Sequence, residues 1–117
     1  MCKDVELLVQ GLSKEDQVKA QQMEKDAKGL STSMLCMSLD TFPNYVVFGE
    51  QYRVSERLYF CLRGIMEMDE LVRRCETGED DGSVGNFMEA KERILAKAKE
   101  LRGKLFGILP KLIEKSK

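Results

Sequence analysis

Apolar residues recur along most of this chain at alternating spacings of three and four, the mark of helices that each bury one face. The clearest run is Val54, Leu58, Cys61, Ile65, Met68, Val72 and Cys75. Tyr59, Phe60, Leu62, Met66 and Leu71 widen it well past a narrow stripe, which predicts a central helix from Tyr45 to about Glu76, covered on more than one side. Ahead of it, Val5, Leu8, Val9 and Leu12 predict a short helix from about Lys3 to Gln10, ended by Gly11. Ser13 then reads as an N-cap, with Glu15 and Asp16 in the first turn where the helix dipole favours negative charge.

Ala20, Met23, Ala27, Leu30, Met34 and Met37 keep the spacing across Gly29, so one helix is predicted from about Lys14 to Ser38. A stop at Gly29 and a restart capped by Ser31 or Ser33 is the alternative. Asp40 to Asn44 is predicted as a break, with Pro43 in the first turn of the central helix, where its missing amide costs nothing. Thr77 to Ser83, with two glycines and an acidic run, is the second break. Phe87, Ile94, Ala98, Leu101, Leu105, Ile108 and Leu112 mark a last helix from near Val84 to the C-terminus, kinked at Pro110 but packed beyond it.

These elements predict one domain, residues 1–117, folded as an all-α up-and-down bundle of about four helices, one short and three long. A central helix of this length would extend about 45 Å at 1.5 Å per residue. That is long for a compact monomer with a radius of gyration near 13 Å. A homodimer sharing one core is therefore expected.

Composition removes several functions. The chain has no histidine, which excludes Ser-His and Cys-His dyads and His-ligated metals. Cys2, Cys36, Cys61 and Cys75 form no CxxC pair, and Cys61 and Cys75 are about four turns apart on one helix, too far to bridge there. Reduced thiols in the cytoplasm are the expectation. Met1-Cys2-Lys3-Asp4 does not open a signal peptide, and the apolar run Tyr45 to Phe48 is too short to cross a bilayer. No GxGxxG, GxxxxGKS or GxSxG motif occurs, and Gly103-x-x-x-Gly107 suggests at most a close helix contact.

Two patterns carry candidate chemistry. Glu67-x-x-Glu70 and Glu89-x-x-Glu92 fall on consecutive helices across a short turn, and paired carboxylates on adjacent helical turns can hold Mg²⁺. The four residues resemble the ExxE…ExxD arrangement of MazG-type nucleotide pyrophosphohydrolases, which are small helical oligomers, with Glu92 where that family has Asp. The resemblance implies a Mg²⁺-dependent pyrophosphohydrolase. On a helical wheel, however, Glu67 and Glu70 fall opposite Ile65 and Met68, and Glu89 and Glu92 lie far round from Phe87 and Ile94. Metal-binding carboxylates of bundles point inward, so both pairs read as outward-facing charges.

The second pattern is charge segregation. Glu67 to Asp81 has seven acidic and two basic residues, a net of −5, while residues 82–117 have four acidic and nine basic, a net of +5. Arg93, Lys97, Lys104, Lys111 and Lys115 fall within about 40° of one another on a wheel. Whole-chain charge is −1, unlike a dedicated nucleic-acid binder, so the stripe is expected to meet protein rather than nucleic acid. Its expected contact is the acidic end of the central helix, in the same chain or a partner's, made by residues 103–117. The sequence assigns no catalytic, cofactor-binding or metal residue, and it favours a protein-interaction or structural module.

Overall fold

The computed structural model describes residues 3–46 and 51–116. Five helices follow one another: α1 (Lys3–Gln10), α2 (Lys14–Gly29), α3 (Thr32–Val46), α4 (Val54–Thr77) and α5 (Phe87–Lys115). Among the described residues there is no strand, and no helix is long and apolar enough to cross a membrane.

The helices alternate in direction. Thr32, Ser38 and Val46 of α3 meet Arg74, Glu67 and Arg57 of α4, so those two run antiparallel. Glu76, Asp69 and Cys61 of α4 meet Lys99, Arg102 and Leu105 of α5, again in opposite order. α1 turns back along α2, and its Val5 is buried near Arg102 and Phe106 of α5. α4 lies in the middle, packed most extensively against α5 and then against α3 and α2. Between Leu58 and Cys75 it exposes little beyond Tyr59, Arg63 and Arg73.

Local signals explain most boundaries. Ser13 Oγ accepts the Asp16 amide at 3.2 Å to start α2. Gly78, at φ 74°, ends α4 in the left-handed conformation that favours glycine.

Three expectations are corrected. The helix predicted over Lys14–Ser38 is two helices, because Ser31 caps a fresh start: its Oγ accepts the Met34 amide at 3.2 Å and its carbonyl the Leu35 amide at 3.1 Å. The restart resets the phase. Thr32, Leu35, Phe42 and Val46 now face inward, and Met34 and Met37 turn out to solvent. The predicted break at Asp40–Asn44 is helical, with Pro43 inside α3. Burial of Phe42 and Val46 on either side of it offsets the cost of about 3 kcal/mol for an interior proline. The central helix consequently begins at Val54, not Tyr45, and the part of that prediction over residues 47–50 lies outside the described residues.

At 24 residues α4 spans about 36 Å. It fits within one chain, whose extents are 44 × 26 × 19 Å and whose radius of gyration is 14.0 Å. The length argument for a shared core is removed. α5, the longest helix, sets the long axis and continues through Pro110, with Leu109, Leu112 and Ile113 buried. Close helix approach occurs at Gly64 rather than at Gly103 or Gly107. A Cβ on Gly64 would lie 2.7 Å from Leu105 Cδ1 and 3.1 Å from the Phe42 ring, whereas at Gly103 and Gly107 it would meet nothing within 4 Å.

Candidate functional site

Polar side chains converge at one end of the bundle, around Arg74 near the C-terminus of α4. Arg74 is 8% exposed, a burial that a guanidinium tolerates only with partners. Its Nε donates to Glu70 Oε2 at 2.9 Å, one helical turn back. Nη1 donates to Thr32 Oγ1 at 3.1 Å, and Nη2 to the Lys28 carbonyl at 3.1 Å. Asp81 Oδ2 lies 3.7 Å from Nη1. One side chain thus joins the last turn of α2, the first turn of α3, α4 itself and the α4–α5 loop.

The loop closes the other side. Asp81 Oδ2 accepts the Thr32 amide at 3.0 Å, and Ser83 Oγ accepts the Ser33 amide at 2.9 Å. With Ser31 taking the Met34 amide, the first three amides of α3 are all satisfied, two of them by residues 49 and 50 positions away in the chain. Asp81 Oδ1 in turn accepts the Ser83 hydroxyl at 2.6 Å and the Ser83 amide at 3.0 Å. Arg73 forks between Glu70 and Glu79, with contacts of 2.7–3.0 Å to both carboxylates.

The electrostatics follow from these contacts. Burial pushes the Glu70 carboxyl up, but hydrogen bonds from Arg73 and Arg74 outweigh it and hold it below the usual carboxylate range. The Arg73 hydrogen bond lowers Glu79. Ser83 and Thr32 hold Asp81 well below the ordinary range. All three are carboxylates at neutral pH, committed to cations or amides. A cleft of about 340 Å³ beside the junction is lined by Glu24, Asp69, Glu70, Glu76, Lys28, Arg73 and Arg102. On its walls Asp69 takes Arg102 at 2.7 Å and Glu70 takes Arg73 at 2.7 Å, with Arg74 on Glu70 from behind, so charges of opposite sign neutralise one another there.

The four carboxylates that resemble the MazG pattern are not brought together. The expectation that both pairs face outward fails for the first pair: Glu67 and Glu70 are 3% and 4% exposed, because α2 and α3 cover the flank that the wheel left open. Glu67 is held by Ser38 at 2.6 Å and Arg63 at 3.0 Å. Glu89 and Glu92 are exposed on α5. Among the described residues, no three of His, Cys, Asp and Glu are grouped so as to hold a metal.

The basic stripe is exposed at Arg93, Lys97, Lys104, Lys111 and Lys115, with Lys104 paired to Glu100 one turn away. Within the chain it does not meet the acidic end of α4. Because α5 runs antiparallel, Asp69 and Glu76 pair instead with Arg102 and Lys99, and residues beyond 103 lie along the other half of α4. Cys61 is buried, its Sγ 3.2 Å from the Leu105 carbonyl, and burial pushes its thiol up to about 12. Cys36 is half-buried and Cys75 buried, both free, and both are raised by burial.

Arg74, Thr32 and Asp81 were missed by sequence reasoning. The available signal was Glu70 and Arg74 at i and i+4 on a helix predicted to be covered on several sides. Comparison of the chain with protein-family models, with curated proteins and with solved structures finds no match.

Proposed function

We propose that this chain is a helical protein-interaction module that works as a homodimer in the reducing cytoplasm. The observation that carries the reading is a pair of exposed methionines on α3, on the side of the helix that two turns later bears Tyr45 and its aromatic neighbours. Met34, Met37 and Tyr45 lie within about 80° of one another on α3. Met34 and Met37, one helical turn apart, are 52% and 67% exposed. Tyr45 stacks on Phe60 of α4 at 4.8 Å between ring centroids, and Tyr52 and Tyr59 set their edges against Phe60. Tyr59 itself is 44% exposed. Methionine and tyrosine together make an adaptable contact surface. The same face on a second copy would give a two-fold interface. The polar residues, by contrast, are engaged with one another at the Arg74 junction, which supports a structural role for them over catalysis.

Sedimentation equilibrium tests the reading. The wild type should be dimeric at micromolar concentration, and Met37→Glu should be monomeric with its helical circular dichroism unchanged. A monomeric wild type would remove the proposal. Two other outcomes would replace it. One is Mg²⁺-dependent release of pyrophosphate from a nucleoside triphosphate, lost in Glu67→Gln. The other is a salt-sensitive affinity for DNA or RNA abolished by Lys104→Glu with Lys111→Glu, the dimer unaffected.

A further inference from the structure

α3 and α5 both run against α4, so they lie parallel to each other. A cleft of about 230 Å³ separates them, with Leu39, Asp40 and Pro43 on one wall and Lys97, Glu100 and Lys104 on the other. Met37, one turn before Asp40 on α3, is exposed beside it. Charge is graded along this face. The loop and the start of α5, residues 79–92, hold five acidic residues and one basic, and Asp81 and Ser83 pin that loop over the start of α3. Residues 93–117 hold eight basic and two acidic. Lys99, Arg102 and Lys104 are paired within the chain. Among the described residues no ion pair engages Arg93, Lys97, Lys111 or Lys115, nor Asp40, Asp80 or Glu89, and all of these are exposed.

We infer that two copies of this chain pack antiparallel across the α3–α5 face, the basic end of each α5 lying over the acidic loop and α5 start of the other. This arrangement rests on the homodimer proposed above and fixes its orientation. A two-fold axis in the plane of such an interface can run along α3 or across it. An axis along α3 sets the lysines of α5 against the partner's Tyr59 and Arg63, which give them no anion. An axis across α3 sets aromatic flank against aromatic flank and reverses α5 against α5, so that opposite charges meet at both ends. These charges set orientation more than strength: each exposed pair contributes little, and the apolar contact around Met37 supplies the adhesion. A crossing centred on Met37 also brings Arg93 of each copy level with the partner's Asp40.

Carbodiimide cross-linking of isotope-labelled chains mixed with unlabelled ones, at low salt and mapped by peptide mass, tests the orientation. Links between chains should join Lys111 or Lys115 to Glu79, Asp80 or Glu89. Sedimentation of charge variants tests the register. Arg93→Glu and Asp40→Arg should each weaken the dimer roughly tenfold, because each reverses both copies of the pair, with helical circular dichroism retained. An equal mixture of the two should regain the wild-type affinity, each chain then offering the charge the other lacks. A dimeric wild type that yields none of these links, or variants that dimerise as the wild type does or regain nothing on mixing, would overturn the antiparallel arrangement and leave the homodimer standing. A monomeric wild type would remove both.

Discussion

The middle of α4 and its C-terminal end are held by different physics. At the middle, Gly64 lets Leu105 and Phe42 approach the α4 backbone, with Cys61, Ile65 and Met68 fully buried around them. That contact is apolar and non-directional, and it gains from every methylene removed from water. Two turns on, Arg74 joins four chain segments through directed hydrogen bonds. Buried charge pairs add little net stability, but removing one partner is costly because the other remains uncompensated. The middle therefore supplies adhesion, whereas the end fixes where α2 stops, where α3 starts and how the loop lies.

Substitutions break the two regions in different ways. The largest effect is expected from Leu105→Asp, which buries an unpaired charge at the middle; the chain should lose its cooperative helical signal altogether. Arg74→Met comes next. It strips Lys28, Thr32 and part of Glu70 of a partner and should cost about 3–5 kcal/mol in urea unfolding, with the chain still folded in water. Gly64→Ala should cost about 1–2 kcal/mol, the overpacking of about 1–3 kcal/mol being partly offset by the better helix propensity of alanine.

Acid distinguishes the regions without mutation. Glu70, Glu79 and Asp81 all titrate below their unfolded values, so their contribution is complete above a pH of about 4 and is lost as the pH falls through the folded values. The urea midpoint should drop below pH of about 4, and drop less in Arg74→Met, which has already lost part of that contribution. The smallest change is expected from Lys104→Glu with Lys111→Glu. Both side chains are exposed and the ion pair of Lys104 with Glu100 is intrahelical, so the unfolding free energy should move by less than about 0.5 kcal/mol.

The same division explains what could be read from the sequence. The middle was legible: the seam from Val54 to Cys75, its seven positions three or four apart, is the one that α4 buries, though Val54 is only half covered. The stop at Gly78 and the Ser13 cap were legible too, being local chemistry. The α2–α3 junction was legible only as the alternative to one long helix, the stop at Gly29 and restart capped by Ser31 that the structure adopts. Leu30, Met34 and Met37 continue the apolar spacing, and nothing nearby announces that Asp81 and Ser83, about 50 residues on, will cap a new helix at Thr32. Pro43 misled for a related reason: its local cost is set against burial of Phe42 and Val46 by α4, which no local window contains. Glu67 and Glu70 were misplaced because a wheel drawn for one helix does not show how many neighbours cover it.

Native-state hydrogen exchange across a series of urea concentrations, all below the unfolding midpoint, compares the regions most directly. Amides of Ile65 to Met68 and of Leu101 to Leu105 should exchange only through global unfolding, with the full urea dependence of the whole chain. Amides of Thr32 and Ser33 should exchange through an opening of lower free energy and weak urea dependence, and Asp81→Asn should lower that opening further while leaving the middle unchanged. If Thr32 and Ser33 instead share the free energy and urea dependence of the middle, the two regions are one cooperative unit and the division drawn between them is wrong.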